Sequence, residues 1–284
     1  MQCSVIVPTY NRPQALQLCL LSLAQQTRLP DEVLIADDGS GQETKDAVIE
    51  MTERLRDRFP IRHVWHEDDG FRKPKILNET VRRATGTYLI FIDGDCIAHR
   101  RFVEAHLDRA EPDAVLGGKR VEIGKELSER ILRDAKVYNS AGIGLLWDSF
   151  MKRSRRVGEA FVISGRFMRY VLHRDRIHMK AIWGCNFSLY KDLFYAINGC
   201  DEDFLDGSAE DIDIGVRAVN LGKRLKSVRA LAIIFHLWHK TSWSYESDKC
   251  KFNLKILQRR IDNKEPYCLN GIVRKERAGE DRTS

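Results

Sequence analysis

Apolar and polar positions alternate in blocks along the first hundred residues. Cys3 to Val7, Glu32 to Ala36, Ile61 to Trp65 and Tyr88 to Ile92 are short, mostly apolar runs of strand length. Between them lie stretches with helical spacing. Pro13 to Gln26 carries Leu16, Leu20, Leu23 and Ala24 on one face, and helices are also expected over Glu43 to Arg58 and Lys73 to Ala84. Strands alternating with helices of about 12 residues predict a parallel sheet with right-handed crossovers, hence an α/β fold. The second half is less regular. Lys125 to Tyr138 and Leu145 to Arg156 read as helices, Trp183 to Tyr190 as a short strand, and Ala209 to Leu221 as a helix with Gly222 as C-cap. A last strand is expected near Leu231 to Phe235.

Ligands on an open parallel sheet bind beyond the carboxyl ends of its strands. Those ends are acidic here. The second strand runs into Asp37 and Asp38, the fourth into Asp93, Gly94 and Asp95. The first strand ends in Pro8-Thr9-Tyr10-Asn11, with no GxGxxG after it, and no GxxxxGK[ST] occurs anywhere. That disfavours Rossmann dehydrogenases and P-loop NTPases. A pyrophosphate held among carboxylates needs a divalent cation, and hard oxygen ligands suit Mg2+ or Mn2+. Glu210, Asp211 and Asp213 occupy the first turn of the expected helix. Taken alone, such a turn simply favours the helix dipole. His236 ends an apolar run and reads either as a core histidine or as a ligand, with His239 its rival.

Composition narrows the class without choosing a partner. The chain has 284 residues, 43% of them hydrophobic, with 47 Lys and Arg against 41 Asp and Glu. The seven cysteines are scattered without a CxxC pair, so reduced buried thiols are expected rather than a zinc site or disulfides. No apolar run approaches the ~20 residues of a membrane helix, and no signal peptide is evident, so a cytosolic location is expected. The cations are uneven. They crowd between Lys152 and Lys180, including Arg153, Arg155 and Arg156, against Glu159 and Asp175. Such a run is usually a solvated face.

Several motifs then stand in register. Val5-Ile-Val-Pro-Thr-Tyr-Asn-Arg12, Ala36-Asp-Asp-Gly-Ser40, Phe91-Ile-Asp-Gly-Asp95, Gly184-Cys-Asn-Phe-Ser188, the Glu210-Asp211-x-Asp213 helix start and the late His236 together resemble the inverting glycosyltransferases of family 2, which have the GT-A fold. The stretch from Trp65 to Asn78 is similar to bacterial chondroitin-polymerase-type domains and to capsule and lipopolysaccharide transferases. The resemblance implies a mostly parallel sheet flanked by helices. It also implies a domain over residues 1–240, with a nucleotide-sugar half (1–110), an acceptor half (111–240) and a basic helical extension over 241–284.

It further implies a UDP-sugar donor, a glycan or lipid-linked glycan acceptor, and Mn2+ or Mg2+ as cofactor. On this reading Pro8, Thr9, Tyr10 and Arg12 line the nucleotide pocket, Asp37 accepts from uracil, and Asp38 assists. Lys75 and Asn78, ahead of Arg72, flank the donor; Asp93 and Gly94 belong to the DxD motif; Asp95 and His236 hold the metal. Asp211 is the catalytic base, Glu210 orients the acceptor, and Asp213 is structural. Asn198-Gly-Cys-Asp201 and Asp206-Gly-Ser-Ala209 depart from the family's usual Gly-Gly-Phe-Asp and Trp-Gly turns.

The expected function is thus a metal-dependent inverting transfer in surface polysaccharide or lipooligosaccharide synthesis. The alternative is a sugar-phosphate nucleotidyltransferase, which needs a basic Gly-rich loop after the first strand. Nucleic-acid binding rests on charge alone, and the acidic site would repel phosphate. The Lys152–Lys180 cations, interleaved with Phe161, Phe167, Met168 and Tyr170, are the candidate contact for an anionic inner-membrane surface.

Overall fold

Strands β1 (Cys3–Thr9), β2 (Glu32–Asp37), β3 (Ile61–Trp65) and β4 (Tyr88–Phe91) alternate with helices α1 (Pro13–Leu23), α2 (Gln42–Arg54) and α3 (Lys73–Arg83) in the computed structural model. It describes residues 1–134, 151, 153–163, 165–172, 182–240 and 244–273. Every residue of β1, β2 and β4 is buried. Parallel strands covered on both faces read as near-continuous apolar runs for that reason. Their pairings are parallel, with Val5 opposite Val33 on one side and Ile90 on the other.

Alternate side chains go to opposite layers. Val5, Val7 and Val33 pack with Leu16, Leu20 and Met51 from α1 and α2. Ile6 and Leu34 pack on the other face with Ile76, Leu77 and Val81 of α3.

The rest of the chain adds β5 (Cys96–Ala98), α4 (Phe102–Leu107), β6 (Ala114–Gly117), β7 (Val121–Glu122), α5 (Lys125–Asp134) and α6 (Arg166–Val171). It continues with β8 (Phe187–Tyr190), α7 (Lys191–Ala196), α8 (Glu210–Asn220), β9 (Arg224–Ser227), β10 (Ile234–His236) and α9 (Asp248–Asn263). The central sheet runs β3-β2-β1-β4-β8-β6-β9, so strands from both sides of residue 110 share it. β8 is antiparallel to both β4 and β6, and the other pairs are parallel. A second sheet, β5-β10-β7, stands beyond the end of β4.

Three expected elements change. Arg153 to Arg156 are not helical: the Arg155 backbone exchanges hydrogen bonds with Glu122, of 2.9 and 3.0 Å, which takes the groups a helix would use. The strand expected from Trp183 starts only at Phe187, because Asn186 N–H closes a turn on Trp183 O. The last strand starts at Ile234, after a turn in which Ala230 is left-handed (φ 60°). Residues 135–138 and 145–150 of the expected helices lie outside the described residues.

Helix α9 is tied to α8 by buried charges. Arg217 Nε lies 2.7 Å from Asp213, and Arg260 pairs with both Asp213 and Asp201. All four side chains are buried. The acidic start of α8 is thereby fixed from beneath.

Candidate active site

The ends of β1, β4 and β10 and the start of α8 surround a cleft of ≈1290 Å³. On its floor the chain leaves β4 through Asp93, Gly94 and Asp95. Gly94 N–H donates to Pro8 O at 2.9 Å, and a Cβ on Gly94 would stand 3.0 Å from that oxygen, so the approach suits glycine. Pro8, Thr9, Tyr10, Arg12, Asp93, Gly94 and Asp95 all line the cleft.

Register brings the histidine to the aspartate. β10 pairs antiparallel with β5, placing His236 opposite Cys96, and Leu237 N–H donates to Asp95 O at 3.0 Å. Asp95 then faces His236 Nε2 at 3.4 Å, His239 Nε2 at 3.2 Å and Arg12 at 3.0 Å. Burial opposes its ionisation, but the two imidazoles and Arg12 outweigh that and hold the carboxyl below the usual range. Burial lowers His236, with Asp95 pulling the other way, whereas the hydrogen bond to Asp95 raises His239.

Ligand atoms of Asp95, His236 and Cys96 lie within 4.8 Å of one another. Thiolates prefer softer metals, so for a hard divalent cation the fitting donors here are the carboxylate and the imidazoles. Both histidines reach Asp95, one on each oxygen.

Across the cleft, α8 begins on Ala209, whose φ of 67° is left-handed. Asp211 accepts from Gly184 N–H at 2.6 Å and from Ile212 N–H at 2.8 Å. Burial raises its carboxyl. Glu210 is pushed up to about 7, by burial first and then by the Asp211 charge. Its Oε2 is buried without a hydrogen-bond partner among the described residues. Lys73 Nζ joins the two walls, 3.1 Å from Asp93 and 3.6 Å from Glu210. Burial would lower this ammonium, but Asp93, Glu210 and Asp211 together raise it.

Three residues expected at the donor do not line the cleft. Asp37 is fully buried and does not line the cleft: it pairs with His63 at 2.8 Å and accepts Ser40 N–H at 2.8 Å. The carboxylate that faces the cleft is Asp38, which meets His66 at 2.8 Å and accepts Arg72 N–H at 3.0 Å. Asn78 is buried and spent on the Cys200 turn, donating to Cys200 O and accepting from Cys200 N–H, each at 2.8 Å. Lys75 does not line the cleft either, since it is turned about 200° around α3 from Lys73, which does. Asp213 is structural, as expected.

Sequence reasoning missed Lys73, His63, His66 and Arg120. Only their neighbours in the Trp65–Asn78 stretch hinted at the first three. Lys152, Arg174, Arg176, Lys180 and Trp243 lie outside the described residues.

The profile of glycosyl transferase family 2 matches residues 4–194, and that of the N-terminal domain of galactosyltransferase matches residues 169–240. Validoxylamine A glucosyltransferase of Streptomyces hygroscopicus subsp. limoneus is 31% identical over 234 residues, which are 75% of this chain and 47% of that protein. Chondroitin synthase of Escherichia coli is 23% identical over 243 residues, covering 82% of this chain and 34% of that protein. The chain thus spans half or less of the length of these relatives.

Among solved structures, the mannosyltransferase PcManGT from Pyrobaculum calidifontis, in complex with GDP-Man and Mn2+, has a TM-score of 0.61 at 17% identity, covering 92% of this chain and 64% of that one. S. aureus TarS 1-349 in complex with UDP-GlcNAc gives 0.60 at 19%, with 93% and 67% covered. The shared fold is the GT-A α/β fold. Because the profile runs through both aspartate-bearing strand ends and over most of the chain, the protein belongs to glycosyl transferase family 2.

Proposed function

We propose that this chain transfers a sugar from a nucleotide sugar to a hydroxyl of a glycan acceptor, with inversion at the anomeric carbon and with a divalent metal. One observation carries the reading. A single cleft holds Asp93, Asp95 and His236 together with the Glu210–Asp211 pair, with Lys73 between Asp93 and Glu210.

Asp95 and His236, with His239 beside them, would hold a metal that neutralises the diphosphate. Asp38 and Tyr10, which line the cleft, would meet the base of the nucleotide, and the family resemblance makes that base uracil. Asp211 takes the proton of the acceptor hydroxyl as its oxygen bonds to the anomeric carbon. The bond from that carbon to the diphosphate breaks on the opposite side, and its electron pair leaves with the nucleotide. Two N–H donors fix the orientation of Asp211, while burial makes it a stronger base than an exposed aspartate. Glu210, beside it, orients the acceptor.

The resemblance sets this reaction in surface polysaccharide or lipooligosaccharide synthesis. Among the described residues no helix is long and apolar enough to cross a membrane. Exposed Phe161, Phe167, Met168 and Tyr170 support a peripheral contact with the cytoplasmic face of the inner membrane. Sedimentation with phosphatidylglycerol vesicles at low salt, and release at high salt, tests that contact.

The central test is a donor screen with UDP-glucose, UDP-galactose and their N-acetyl forms, with Mn2+, read as UDP release. EDTA should stop it and Mn2+ or Mg2+ restore it. Full activity in EDTA would remove the metal from the reading. Pyrophosphate release from UTP and a sugar 1-phosphate would replace the transferase with a nucleotidyltransferase.

A further inference from the structure

The cleft has a second electrical character that transfer to a neutral sugar does not explain. Arg120, Arg153 and Arg155 line it on the side of Trp183. Behind them, the Lys119 ammonium stands 4.8 Å, and the Arg156 and Arg120 guanidinium carbons 4.6 and 5.1 Å, from the Trp183 ring centroid. Three cations on one indole repel one another. Burial, and then the charges of Arg229 and Arg156, depress the Lys119 ammonium.

Compensation is partial: Glu126 pairs with Arg153, and Glu159 acts on Lys119. Glu122 answers both Arg120, at 3.7 Å, and Arg156. Arg120 is also poorly bonded: Nε is buried without a hydrogen-bond partner among the described residues, and one terminal nitrogen reaches only the Cys185 sulfur at 3.9 Å. An under-bonded guanidinium at a cleft wall is an anion site by its chemistry. Its position says which anion. Trp183 is followed by Gly184, whose N–H holds Asp211, while Arg120 also acts on Asp93 and His236, so this wall runs from the metal end of the cleft to the base.

We propose that the acceptor is anionic, carrying a carboxylate or phosphate near the attacking hydroxyl, and that Arg120 and Arg155 bind that group. The proposal rests on the transferase reading above and names its acceptor class.

Matched glycans test it. A uronate-bearing disaccharide and its carboxyl-reduced twin, and a phosphorylated disaccharide and its dephosphorylated twin, are titrated into protein saturated with UDP and Mn2+, read by tryptophan fluorescence. One charged member should bind about tenfold more tightly than its twin at low salt, and the difference should shrink as salt rises. The two pairs separate carboxylate from phosphate. Arg120→Gln and Arg155→Gln should each bring the charged member toward the affinity of the neutral one.

Equal binding of the twins, or no binding of either charged member, overturns the proposal. So does a loss of UDP affinity as large as the loss of glycan affinity, which would give the wall to the donor. Loss of phosphatidylglycerol-vesicle binding in these variants, without a change in glycan preference, would give it to a membrane. UDP binding in the presence of Mn2+, measured by calorimetry, is the separate control. Its absence sinks the transferase reading itself, whereas its presence with indifferent twins sinks only the anionic acceptor.

Discussion

Between the donor carboxylates and the base stands one ammonium group, Lys73 Nζ, held by Asp93 and Glu210. Glu210 is pushed up to about 7, so the carboxylate that orients the acceptor takes up a proton near neutrality. Transfer should therefore fall as pH drops through about 7, read as the acid limb of a kcat/KM profile. Lys73 lowers both carboxyls, so Lys73→Met should move that limb to higher pH; an unmoved limb would detach Lys73 from Glu210. Asp211→Asn keeps the shape and removes the basicity. Turnover should drop by at least ~10²-fold while UDP affinity, measured by calorimetry, is nearly kept. Ala209 opens α8 with φ at 67°, a conformation that costs a non-glycine residue about 1 kcal/mol. Ala209→Gly should raise the urea midpoint accordingly. Sequence made Asp95, Asp211 and His236 legible because each ends or begins an element. Of the adjacent Asp37 and Asp38 only Asp38 lines the cleft, since adjacent residues at a strand end point to opposite sides. Lys75, expected beside the donor, stands off the cleft while Lys73 lines it, because the phase of α3 is set by its buried face, which the motif does not show.

The first four strands and three helices formed where periodicity put them, because parallel strands buried on both faces carry a strong local signal. Beyond Gly117 the elements depend on distant partners. Arg155 is extended because Glu122 bridges it, and α8 is seated by Arg260, 47 residues past Asp213. No local pattern announces either contact. The α8–α9 tie carries a prediction of its own. Arg260→Met would leave Asp201 and Asp213 buried with Arg217 as the remaining cation of the group. Breaking a buried ion pair from one side costs about 3–5 kcal/mol, so the urea unfolding midpoint should fall steeply. An unchanged midpoint would show that the network contributes little to holding α9.

For the whole molecule, acid stability should turn on His106. It is fully buried, with one ring nitrogen 2.7 Å from Ser188 Oγ and the other 3.1 Å from Asn186 Oδ1. Burial pushes it from its ordinary 6.5 down to about 3. Between those values the unfolded chain binds a proton that the folded one refuses. The stabilisation is therefore complete above about 6.5 and is lost as pH falls toward 3, at up to about 1.4 kcal/mol per pH unit. Urea unfolding of His106→Gln at pH 7, 6, 5 and 4 should show a shallower decline than the parent; parallel declines would assign the slope elsewhere.

The sheet order also imposes a schedule on synthesis. β4 pairs with β1 early, but its other edge pairs with β8, where Tyr88 meets Tyr190. At about 5–20 residues per second, the ribosome takes on the order of 5–20 s to deliver that partner. Until then β4 is a free apolar edge of the sort that recruits strands from other chains. A chain stopped at residue 110 stays in that state. Expressed alone it should collect in the insoluble fraction, and a soluble, monomeric fragment would show that the first four strands protect their own edge.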